Sequence, residues 1–105
     1  MKINFDSEVD ALYLRLSDEQ AVDSEAIETD IVYDYSIDNK VIGIELLRVT
    51  ANLARLAVVP LPFKDLNQQY EFISFLETIA DSELRSKLAF ARQILQNQKA
   101  FLQRA

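Results

Sequence analysis

The chain has 105 residues, half of them hydrophobic and 27% charged, with a formal net charge of −6. That is one domain's worth of chain, able to hide roughly 60–68% of its unfolded surface and too apolar for disorder. It holds no Cys and no His, which excludes disulfides, thiolate or imidazole metal ligation, Cys nucleophiles and Ser-His triads.

The first half reads as four short strands. Lys2-Ile3-Asn4-Phe5 alternates with period two and puts Ile3 and Phe5 on one face. A polar turn follows over residues 6–10. Leu12, Leu14 and Leu16 then alternate with Tyr13 and Arg15, a half-buried strand with its leucines inward. Residues 17–28 are acidic and read as a loop. Ile31, Tyr33 and Tyr35 alternate with Val32 and Asp34 as a third strand, with both tyrosines at the edge of the core. Asp38-Asn39 is a turn signal, because Asn and Asp tolerate left-handed backbone angles. Residues 41–49 form the fourth strand, with Ile42, Ile44 and Leu46 on one face and Glu45 on the other. Strands joined by tight turns pair antiparallel, so a four-stranded meander is expected over residues 1–50. Such a sheet is marginal alone and needs a cover.

The second half supplies it. Residues 52–59 fit either a helical turn or an extended lead into Pro60-Leu61-Pro62. Asp65 or a neighbour caps a helix running to about Ala80, with Leu66, Tyr70, Ile73, Leu76, Ile79 and Ala80 at amphipathic spacing and Phe72 and Phe75 widening the stripe. Asp81 is placed as the N-cap of a last helix running to about Gln103, and Asp81-Ser82 is where two helices would part; one long bent helix is the alternative. Leu84, Leu88, Ala91, Leu95 and Leu102 share one seam of that helix, with Phe90, Ile94 and Phe101 beside it. The predicted fold is therefore α+β, with a sheet domain over residues 1–50 and a helical extension over 51–105 that packs on the sheet or on a partner.

Charge divides along the same line. Residues 1–50 carry 12 acidic residues against 4 basic, and residues 51–105 carry 5 against 7. An acidic first half repels nucleic acid and attracts basic partners. The acids are also the candidates for site chemistry. Asp6, Glu8 and Asp10 share a turn, and Asp23, Glu25, Glu28 and Asp30 crowd one loop. A Mg²⁺ or Ca²⁺ site needs several converging carboxylates, and no EF-hand spacing or glycine hinge accompanies these. Solvated turns are the simpler reading. Arg15, Asp34 and Glu45 lie on the outer face of their strands, where a cross-strand salt bridge is expected. Tyr13, Val32, Val41 and Leu47 share that face, so the sheet is apolar on both sides. Gly43 inside a strand marks a bulge or a close backbone approach.

Two blocks carry a resemblance. Met1-Lys2-Ile3-Asn4-Phe5-Asp6 with Asp10-Ala11-Leu12-Tyr13-Leu14-Arg15-Leu16-Ser17, and Ile31-Val32-Tyr33-Asp34-Tyr35 with Asp38 and Val41-Ile42-Gly43-Ile44-Glu45-Leu46-Leu47, resemble the small bacterial family catalogued as domain of unknown function 2283. The likeness spans about residues 1–50. Asn39-Lys40 stands where that family often has a turn glycine, and the helical extension is absent from its short core. The resemblance implies a compact sheet, no catalytic residues, and the part of the antitoxin-like partner in small two-gene modules beside a ribonuclease-type toxin.

The expectation is thus a non-enzymatic protein-interaction module of the cytoplasm, antitoxin-like or an accessory subunit, binding a basic partner protein or forming a homodimer. No apolar run reaches the ~18 residues of a membrane span, and no signal segment is seen at the N-terminus. Its interaction anchors are Leu84, Leu88, Ala91, Leu95 and Leu102, and no cofactor or metal is expected. Two rivals remain from other classes. One is a carboxylate-dependent divalent-metal hydrolase using Asp6, Asp10, Asp30 and Asp34. The other is nucleic-acid binding through Arg85, Lys87, Arg92, Lys99 and Arg104.

Overall fold

A computed structural model describes residues 1–104, the side chains of residues 82–84, 87 and 99–104 excepted. The chain divides into two units, Met1–Ala51 and the remainder from Asn52.

The first unit is one antiparallel sheet of five strands. They are β1 (Lys2–Asp6), β2 (Ala11–Arg15), β3 (Asp23–Glu28), β4 (Ile31–Tyr35) and β5 (Val41–Leu46), in the spatial order β1-β2-β5-β4-β3. Two expectations are corrected. The acidic stretch read as a loop contains β3. Its residues, Asp-Ser-Glu-Ala-Ile-Glu, carry no alternating apolar pattern, and main-chain pairing along β4 makes the strand. The sheet is also not a meander, because β5 sits between β2 and β4. Its even positions Ile42, Ile44 and Leu46 are buried, and Gly43 between them is buried too. A strand lined with apolar residues on one face and closely covered on the other belongs at the centre of a sheet.

Register aligns the apolar residues in rows. Phe5, Leu12, Leu46 and Ile31 form one row, and Ile3, Leu14, Ile44 and Tyr33 the next. Leu12, Leu14, Ile31, Ile42, Ile44 and Leu46 are at most 1% exposed. Each such side chain stabilises the fold by roughly 1.5–3 kcal/mol relative to exposure.

The turns use left-handed residues. Asn39 has φ 62° in the β4–β5 turn, where its N–H donates to Ser36 O at 2.9 Å and the Ser36 N–H to Lys40 O at 2.9 Å. Asp10 (φ 55°) and Asp30 (φ 66°) close the β1–β2 and β3–β4 turns. Both also hold the segment that leaves β5. The Leu47 N–H donates to Asp30 O at 2.9 Å and the Val49 N–H to Asp10 O at 3.1 Å. Asp10 Oδ2 accepts from the Thr50 hydroxyl at 2.7 Å and from its N–H at 3.1 Å, and Asp30 Oδ2 accepts from Arg48 Nε at 2.9 Å. Arg48 itself has φ 49°, an uncommon angle for a long side chain.

The second unit is helical. Residues 52–59 resolve into a short helix rather than an extended lead: a 3-10 turn (Thr50–Asn52) runs into α1 (Leu53–Leu56), which buries Leu53 and Leu56. Pro60 and Pro62 then forbid helix continuation. Next comes α2 (Leu66–Ile79), capped by Asp65, whose carboxylate accepts from the Gln68 N–H at 2.9 Å. The Gln68 side chain reaches back to accept from the Lys64 N–H at 2.9 Å, so two end amides are satisfied by one pair of residues. Ala80 is extended (ψ 151°) and ends α2. The two helices are therefore separate, and α3 (Ser82–Arg104) starts with the Asp81 carbonyl accepting from the Arg85 N–H at 2.9 Å. Phe72, Ile73, Leu76, Ala80, Leu88 and Leu95 are buried. Among the described residues no helix is long and apolar enough to cross a membrane.

Candidate interaction surfaces

On the outer face of the sheet, Lys2, Arg15, Gly43, Asp34 and Ser24 stand in one row, and Asn4, Tyr13, Glu45, Val32 and Ala26 in the next. The Tyr13 ring lies over Gly43. A Cβ at Gly43 would overlap the phenol oxygen and stand 2.7 Å from Cζ. The missing side chain lets the phenol cross β5 and donate to Asp34 Oδ2 at 2.9 Å. From the other side Ser24 Oγ donates to Asp34 Oδ1 at 2.7 Å. Burial first, then the Asp34 carboxylate, pushes the Tyr13 phenol up to about 12. It is therefore a hydrogen-bond donor at neutral pH, with no capacity as a base.

This arrangement corrects the expected salt bridge. Asp34 is taken by two hydroxyls, and Arg15 turns along its own strand end. Its guanidinium lies 4.0 Å from Asp18 Oδ1 and donates to the carbonyls of Asp18 and Glu19, both at 3.2 Å.

The four carboxylates of the hydrolase reading are dispersed. Asp6 accepts from the Glu8 N–H, Asp10 from Thr50, Asp30 from Arg48, and Asp34 from Tyr13 and Ser24. Among the described residues no three acidic side chains gather where they could hold an ion.

At one border of the sheet, β3 pairs among the described residues with β4 alone, and all six of its residues are exposed. Asp23, Glu25 and Glu28 lie on it, and Val22 and Ile27 are exposed apolar residues on the same stretch. Sequence patterning misses this border because charge hides the strand.

In the helical unit the five predicted anchors separate. Leu88 and Leu95 are buried, Ala91 is half-buried, and the side chains of Leu84 and Leu102 lie outside the described residues. Leu88 and Leu95 are therefore core residues of the folded chain. The basic residues separate likewise. Arg92 Nη2 lies 2.8 Å from Glu77 Oε2 and donates to Ser74 Oγ at 3.0 Å, and its guanidinium carbon stands 5.2 Å from the Tyr70 ring centre. Arg85 Nε donates to Glu77 O at 3.2 Å. These two arginines bind α2, while the side chains of Lys87, Lys99 and Arg104 lie outside the described residues.

What the helices leave open is a different stripe. Val58, Phe90 and Ile94 are 77%, 68% and 46% exposed, and with Ala54, Ala57 and Ala91 they line one shallow apolar groove. Phe90 and Ile94 are four residues apart on α3, which places them on one face. Helical spacing sets them beside the anchors; packing makes them the exposed edge.

Residues 2–49 match the model of the family described as Protein of unknown function (DUF2283), the family that the sequence resembles. No curated protein and no solved structure matches the chain.

Proposed function

We propose that this chain is a non-enzymatic protein-interaction module of the bacterial cytoplasm, an antitoxin-like or accessory subunit that binds a basic partner protein or a second copy of itself. The observation that carries the reading is the apolar groove of the helical unit, where Val58, Phe90 and Ile94 stand in water side by side. Scattered single apolar residues are ordinary on a surface, whereas a contiguous group marks an association site. Fully covering a side chain of this size stabilises by roughly 1.5–3 kcal/mol, so three together offset part of the cost of association. The acidic sheet unit adds a field that steers a cationic protein toward it.

Sedimentation velocity over a wide concentration range tests this. The wild-type chain is expected to gain mass with concentration or to bind a lysine-rich protein. Phe90→Asp with Ile94→Asp is expected to weaken self-association by about tenfold or more, with the helical circular dichroism unchanged. A chain that stays monomeric throughout and binds no basic protein overturns the reading.

A further inference from the structure

We infer that the β3 border is a docking edge for a strand of a basic partner, which would join the sheet as a sixth strand beside Asp23–Glu28. The inference rests on the proposed interaction role and names where the basic partner sits. A border strand offers main-chain N–H and C=O groups to any chain that lies alongside it, and strand addition is a recurrent mode of peptide recognition. Here every residue of the strand is exposed, and its pairing with β4 is regular from Asp23 to Ala26 before the register shifts towards Glu28.

Charge selects the occupant. From residue 16 to residue 39 the sequence has eight acids and no Lys or Arg. β3 itself carries Asp23, Glu25 and Glu28. The Ser24 N–H already rests on an anionic acceptor, Asp23 Oδ1 at 2.8 Å. A second copy of β3 laid against this edge would set carboxylates against carboxylates, which is unfavourable for directly opposed pairs. A strand with Lys or Arg at alternate positions would set ammonium or guanidinium groups against them. Exposed Val22 and Ile27 give apolar side chains on that strand something to cover. The opposite border, β1, has no such bias: it carries Lys2 and Asp6.

The test uses the full chain, ¹⁵N-labelled, and two capped octapeptides of alternating Val and Lys. The second peptide is N-methylated at every residue, so it keeps its charge but has no N–H with which to form a ladder on either edge. The unmodified peptide is expected to shift the amide signals of residues 22–28 most, with an affinity that falls as salt rises. The methylated peptide is expected to bind more weakly by about tenfold or more. Asp23→Lys with Glu25→Lys should abolish binding while the circular dichroism stays native. If both peptides bind equally, or neither binds, or the shifts lie away from β3, the edge is overturned. The basic-partner reading stands in those cases as long as the chain still binds a lysine-rich protein, and falls with the edge when it does not.

Discussion

Tyr13 on β2 donates its phenol proton to Asp34 on β4 at 2.9 Å, although β5 runs between the two strands. The crossing exists because the intervening residue is Gly43, whose α-carbon leaves the ring room. Gly43→Ala is therefore expected to destabilise the chain by about 1–3 kcal/mol, the usual cost of forcing volume into a filled site. In a Tyr13→Ala background the same substitution should cost much less. Urea denaturation of the four chains measures this coupling, and equal costs in both backgrounds would contradict it.

The same contact sets a pH dependence. In the folded chain the Tyr13 phenol is pushed up from 10.0 to about 12, by burial first and by Asp34 next. Tyr33 and Tyr35 are raised too, in each case by burial first. An acid whose folded pKa exceeds its unfolded one stabilises fully below the unfolded value and loses that contribution as pH climbs through the folded value. Stability should thus fall between pH 10 and about 12 as the unfolded chain ionises ahead of the folded one. Phenolate absorbance should show Tyr13 titrating late, and Asp34→Asn should bring it down, leaving the part due to burial. A Tyr13→Phe chain should show a shallower fall over the same window.

Asp10 joins two demands at one residue. Its φ of 55° favours a short polar side chain or glycine, and its carboxylate accepts from Thr50 through both the hydroxyl and the N–H. Asp10→Ala is expected to cost about 2–3 kcal/mol, since it loses the bonds and strains the backbone. Asp10→Gly should cost less, by roughly 1 kcal/mol, because only the bonds are lost. Hydrogen exchange at the Thr50 amide should quicken equally in both.

Arg92 binds three residues of α2 at once: Glu77, Ser74 and the Tyr70 ring. Its planar guanidinium meets them together, which an ammonium cannot do. Arg92→Ala is expected to lower stability by about 1–3 kcal/mol, and Arg92→Lys to recover less than half of that. Thermal melts followed at the helical circular dichroism band report both. If Arg92→Ala melts with the wild type, the cluster contributes nothing to holding α3 on α2.

Which parts could be read without coordinates follows from what local pattern encodes. Leu12, Leu14, Ile42, Ile44 and Leu46 announce their strands because a half-buried strand alternates, and each is buried. Asp65 is legible as a cap because a short side-chain acceptor before an apolar period is what free helix amides require. β3 is not legible, because its pairing is written in main-chain atoms that every sequence shares. The exposed groove is half legible. The period places Phe90 and Ile94 beside the seam, but which side of the stripe meets water depends on what packs against it.

Chain order alone determined an antiparallel sheet followed by helices, an acidic first half, and the absence of Cys and His chemistry. Those are properties of residue type and spacing, which act over a few neighbours. Folding in three dimensions decided that β5 lies between β2 and β4, that Asp34 bonds Tyr13 and Ser24 in place of Arg15, and that Leu88 and Leu95 are core. Each of these depends on residues distant in sequence competing for the same partner, and only the assembled geometry settles which one wins.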